Sequence, residues 1–85
     1  MRYPYAETRK FFLSELKKEE KKWKSFIAHS EANIARMKDH LEEIDENDKY
    51  YNIYQDTIDD TQRSMLKATE ELESVRRNMD SIKEL

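Results

Sequence analysis

"EEIDENDKYYNIY" spans Glu42 to Tyr54, and the fold turns on whether the chain reverses inside it or passes through as one helix. Five of its thirteen residues are acidic, and none is Gly or Pro. The local chemistry alone therefore marks no break, and the decision comes from the flanking sequence.

Upstream, Leu13, Leu16, Glu20, Trp23, Ile27, Ser30, Ile34, Met37, Leu41 and Ile44 follow alternating steps of three and four. Eight of these ten are apolar. Downstream, Tyr51, Tyr54, Ile58, Thr61, Met65, Ala68, Leu72, Val75, Met79 and Ile82 do the same, nine of ten being apolar with Tyr and Ala counted. Such 3-4 spacing is the a/d seam of helices that wind together. A helix continuing past Ile44 would place Asp48, Tyr51, Gln55 and Ile58 on its seam. The downstream phase instead runs through Tyr51, Tyr54 and Ile58, so a continuous rod needs a three-residue break of phase.

A reversal needs no break. Folded antiparallel, the tracks meet layer by layer: Ile44 with Tyr51, Leu41 with Tyr54, Met37 with Ile58, and so on to Leu13 with Ile82. Every layer joins an a to a d position. The midpoint falls between Asn47 and Asp48; Asn tolerates the left-handed conformation that ends helices, and either residue can cap the next one. The spacing thus predicts an all-α fold, an antiparallel two-helix coiled-coil hairpin over residues 1–85. Helix 1 is expected over about 4–45, the turn over about 46–48 and helix 2 over about 49–84. Pro4 suits a first helical turn, and Glu7 adds a favourable charge there.

The register matches large residues to small ones. Trp23 faces Leu72 beside Ala68, and Ile27 faces Ala68. Three polar seam residues, Glu20, Ser30 and Thr61, weaken the seam and help fix its register. Glu20 is expected to reach outward, and the two hydroxyls to bond nearby carbonyls. Two helices cannot cover both sides of one seam, and a small core seldom supplies more than about 3–5 kcal/mol. Phe12, Phe26 and Tyr50 share one flanking heptad position, with Phe11, Ile53 and Leu66 further round. The widened apolar stripe leads us to expect a homodimer of hairpins forming a four-helix bundle.

Composition agrees with long helices. Charged residues make up 41% of the 85-residue chain, with no Gly and no Cys, a profile of extended helices. No apolar run approaches the roughly 18 residues of a membrane span, and "MRYPYAETRK" lacks the apolar stretch of a secretory signal. A cytoplasmic protein with no membrane association is expected.

Charge is segregated. Residues 1–40 hold ten Lys/Arg and six Asp/Glu, whereas residues 41–85 hold six and thirteen. In the hairpin the tip gathers Glu42, Glu43, Asp45, Glu46, Asp48, Asp56, Asp59 and Asp60. The open end gathers cations, including the "KKEEKKWK" lysines Lys17, Lys18, Lys21, Lys22 and Lys24. Acids over 42–46 would stand in the last turn of helix 1, where the macrodipole disfavours them by a few tenths of a kcal/mol each. A partner can offset that cost: a second copy, or a basic groove on another protein in which carboxylates stand in for phosphates. Charge runs are also common on plain solvated surface.

Catalytic devices are lacking. His29 and His40 lie eleven residues apart, about 16 Å along a helix and too far for one metal. There is no Cys nucleophile, no Gly-rich phosphate loop and no HExxH. Glu42–Glu43 and Asp59–Asp60 are sequence neighbours whose side chains diverge. The expectation is a non-enzymatic protein–protein interaction module without cofactor or metal. Its tip acids, with Tyr50 and Ile53 as apolar anchors, would contact a protein partner. Small, acidic, Gly-free helical proteins suit by type a phage or mobile-element inhibitor that blocks a nucleic-acid-binding surface. Two alternatives stand: a nucleic-acid-binding hairpin dimer using the five lysines, and a purely structural coiled-coil element. Against nucleic acid, Glu19 and Glu20 interrupt the lysines and Trp23 sits on the seam rather than free to stack.

Overall fold

The computed structural model describes residues 5–84, and it is an all-α helical hairpin. Helix α1 is Tyr5–Glu43 and α2 is Lys49–Lys83, with no strand among the described residues. The molecule measures 72 × 16 × 14 Å. The helices run antiparallel, because contacts climb one as they descend the other. Arg9 donates to the carbonyl of Lys83, Glu20 meets Arg76, and the His40 ring stacks on Tyr54 with centroids 5.8 Å apart.

Every position of the two seams is buried or half-buried, from Leu13 to Ile44 and from Tyr51 to Ile82. The buried set is Ser30, Ile34, Ile58, Ala68, Leu72, Val75 and Met79, all on the seam and mostly on α2. Ala68 is the most enclosed, at 1% exposed, as its small side chain beside Trp23 requires. Thr61 bonds back to the carbonyl of Thr57 at 2.8 Å, a local arrangement that satisfies a hydroxyl on the seam. Glu20 does not simply reach into solvent: its carboxylate accepts from Arg76 of the opposite helix at 3.3 Å.

The reversal occupies residues 44–48, and α1 ends two residues short of the expected 45. The cause is a competing local bond. The Asp45 carboxylate accepts the Asn47 N–H at 2.9 Å, and the Asp45 carbonyl accepts the Asp48 N–H at 2.9 Å. Asp side chains that bond their own backbone draw the chain out of a helix. Asp48 then caps α2: its backbone is extended (φ −65°, ψ 136°) and its carboxylate accepts the Tyr50 N–H at 2.9 Å. Of the two devices the sequence offered, the cap at Asp48 is the one used; Asn47 does not take the left-handed conformation it tolerates, as no described residue has a positive φ. Two aspartates make the turn without one. Glu7 stands in the first turn of α1 as expected, while Pro4 lies outside the described residues.

Candidate interaction surfaces

The turn brings eight acids to one end: Glu42 and Glu43 close α1, Asp45, Glu46 and Asp48 form the turn, and Asp56, Asp59 and Asp60 lie within the first four turns of α2. All are exposed. Among the described residues, Asp60 is the one member of this set in an ion pair, with Arg63 at 3.2 Å. The expected dipole cost falls on fewer residues than the sequence suggests. Only Glu42 and Glu43 are inside the last turn of α1. Asp45 and Asp48 hold the turn together, and Asp48 sits at the N-terminus of α2, where negative charge is favourable. Part of the acidic run thus has local structural work.

Tyr50 and Ile53 are exposed at 52% and 57% and, three residues apart, are neighbours on one side of α2. With the seams as a and d, Tyr50 takes the g position next to d, and Ile53 the outer c position. The Lys49 ammonium sits over the Tyr50 ring, 5.1 Å from its centroid.

At the other end, Lys17, Lys18, Lys21, Lys22 and Lys24 are all exposed but fall at e, f, b, c and e, so they wrap around the helix. Lys18 pairs with Glu15 at 3.2 Å, and Lys22 lies 5.1 Å from the Trp23 ring centroid. Lys10, Lys17, Lys24, Arg76 and Lys83 do share one flank, the e side of both helices.

The two flanks of the seam differ in kind. On the e side, between the basic residues and the tip, an open groove of about 650 Å³ is lined by Glu31, Ile34, Ala35, Lys38, Gln62, Met65, Leu66 and Thr69. On the g side, Phe26 stands as a ridge packed edge-on against Trp23, centroids 6.2 Å apart. Grooves lie on both sides of that ridge. The one toward the open end, about 500 Å³, reaches Trp23, Ala68 and Glu71. The one toward the tip, about 310 Å³, is lined by Ser30, Asn33, Thr57, Asp60, Thr61 and Ser64. The g positions read Phe12, Glu19, Phe26, Asn33 and His40 on α1 and Tyr50, Thr57, Ser64, Glu71 and Asn78 on α2, so only Glu19 and Glu71 carry full charges. Ser64 and Thr57, the small residues that leave room beside Phe26, were not singled out from sequence. The signal was there in the shared g position of Phe26 and Ser64.

No three or more metal-ligating side chains converge among the described residues. Among the described residues, no helix is long and apolar enough to cross a membrane. No family model, curated protein or solved structure matches this chain.

Proposed function

We propose that this chain is a non-enzymatic interaction module that works by occupancy, its acidic tip seated in a basic surface of another protein. The carrying observation is the convergence of eight exposed acids from two helices and one turn onto a single end, only Asp60 of them ion-paired among the described residues. A surface that binds nucleic acid presents Lys and Arg to phosphates, and carboxylates spaced along a rigid helical end satisfy the same donors. The contact residues are Glu42, Glu43, Asp45, Glu46, Asp48, Asp56, Asp59 and Asp60, with Ile53 as an outer apolar anchor and Tyr50 beside the seam. An inhibitor of a nucleic-acid-binding protein, of the kind phages and mobile elements deploy, is the type of module this layout serves. The module acts as a homodimer, a four-helix bundle in which two hairpins cover each other's thin core.

The test is retention of partners from a lysate of the source cell. It compares the wild-type chain with the triple variant Glu42→Lys, Glu46→Lys, Asp59→Lys, all at exposed positions. The variant should keep its helix content and lose the retained partner, and added DNA or RNA should release that partner from the wild type. Equal retention by both chains refutes the tip as the contact surface. A gel shift of nucleic acid by the free protein, abolished by Lys17→Glu and Lys24→Glu, would instead support the basic end.

A further inference from the structure

The hairpin is too thin to be its own final shape. It exposes 7102 Å², whereas a compact 10.4 kDa monomer exposes about 5,400 Å². The excess is about twice the 800 Å² or so that each partner contributes to a standard interface. The question is which flank is covered, by what, and in which direction.

We propose that a second copy of this chain covers the g flank with its tip opposed, each Phe26 ring dropping into the tip-side groove of the other. This rests on the dimer reading above and adds its face and direction. The e flank is the poorer candidate because burial there would desolvate the side chains of Lys10, Lys17, Lys24 and Lys83, and buried charge without a partner is costly. On the g flank the aromatic rings Phe12, Phe26 and Tyr50 are 50%, 40% and 52% exposed, and small hydroxyl and amide residues fill most of the rest.

Direction follows from charge. Residues 29–66, the tip half of the rod, hold four Lys/Arg and ten Asp/Glu. The open half, 5–28 with 67–84, holds eleven and nine. Tips together would set a net −6 against another −6. Tips opposed sets each −6 against a net +2, with the acids of residues 39–48 level with the partner's Arg9, Lys10, Lys17 and Lys18.

Geometry supplies the register. When the two-helix parts of two rods, from the turn down to Glu84 and the residues of α1 level with it, overlap with tips opposed, residue 26 on α1 lies level with about residue 31 of the partner's α1. The two Phe26 rings are then offset by five residues, about 7.5 Å along the axis. That height is the centre of the groove formed by Ser30, Asn33, Thr61 and Ser64. The ridge of each copy therefore meets the hollow of the other, twice, across one two-fold axis. In the same register Phe12 is level with the partner's Tyr50.

The chain has no native cysteine, so one spin label at Asn47→Cys, on the exposed turn, reports tip-to-tip separation in the intact dimer without touching the interface. Opposed tips predict about 55 Å, which is 37 residues of helix rise. A separation under about 25 Å overturns the direction while leaving a dimer. A chain that stays at monomer mass by sedimentation at 100 µM overturns the dimer reading itself. Two substitutions then test the face. Phe26→Glu should weaken dimerisation by about 100-fold or more, as loss of a central aromatic anchor does, while Leu66→Glu on the e flank should change it less than about fivefold. The reverse ranking overturns the assignment of the g flank. Should Phe26→Glu also lose helix content, Phe26→Ala, which adds no charge, is compared with Leu66→Ala by the same sedimentation assay: the larger loss of dimer should fall on Phe26→Ala, and the reverse ranking overturns the g flank.

Discussion

Asp48 offers the sharpest check on how this chain turns without glycine. Its carboxylate accepts the Tyr50 N–H at 2.9 Å and its carbonyl accepts the Tyr51 N–H at 3.0 Å. Asp48→Ala removes the first bond and keeps the second. Loss of an N-cap costs about 1 kcal/mol, and loss of an exposed negative charge at a helix N-terminus about 0.3–0.5 kcal/mol more. Asp48→Asn keeps a capping oxygen and loses only the charge. Unfolding entropy of about 2.1 cal/mol/K per residue gives about 0.18 kcal/mol/K for 85 residues, so each kcal/mol moves Tm by about 5–6 °C. The alanine variant should therefore melt about 7–9 °C below wild type and the asparagine variant about 2–3 °C below. Both are read by circular dichroism at 222 nm at one fixed chain concentration, since the proposed dimerisation would couple to stability. Raising NaCl to 1 M should erase the asparagine deficit and leave most of the alanine one, because screening acts on the charge term. If Asp48→Ala melts within 1 °C of wild type, the capping account of the turn is wrong. The reversal would then be held by seam packing alone.

Other expectations follow from the same layers. Leu72, 7% exposed, and Leu66, 67% exposed, should respond very unequally to truncation. Urea unfolding should show Leu72→Ala losing about 2–4 kcal/mol and Leu66→Ala less than about 0.5 kcal/mol. A double-mutant cycle on Glu20 and Arg76, whose side chains are 24% and 50% exposed, should give a coupling of about 0.5 kcal/mol at low salt. High salt should remove it, and a null result would assign the Glu20 seam position to register alone. Spin labels at Lys10→Cys and Lys83→Cys in one chain, diluted with unlabelled protein, should lie within about 20 Å of each other. A straight helix would hold them about 110 Å apart.

The helices, their antiparallel pairing and the residues lining their contact were legible because hydrophobic phase is a global signal. A one-residue slip would have misplaced every layer, and the fit of Trp23 beside Ala68 depends on the numbering being right. The turn was less legible because its chemistry is short-range. Nothing in the phase reveals that the Asp45 carboxylate would take the Asn47 N–H and end α1 early, or that two aspartates would replace a left-handed residue. The link from Glu20 to Arg76 was missed for a related reason. Reading Glu20 alone on its helix leaves out a cation one position off the opposite seam. The tip acids were legible as a cluster and Asp48 as a candidate cap for α2, which it is, but the role of Asp45 in the turn was not legible.

The layered pairing has a kinetic corollary. The innermost pair, Ile44 and Tyr51, closes a loop of seven residues, and the outermost, Leu13 and Ile82, is separated by 69. Once the innermost pair is made, each further layer extends an existing structure by one turn on each side, so no step demands a large new loop closure. Assembly then proceeds as a zip from the acidic end outward, quickly and through local steps. Release then begins at the basic end, where the Arg9 clasp on the Lys83 carbonyl is the last contact to form, so backbone amides there should exchange with solvent faster than those of the buried seam around Ala68.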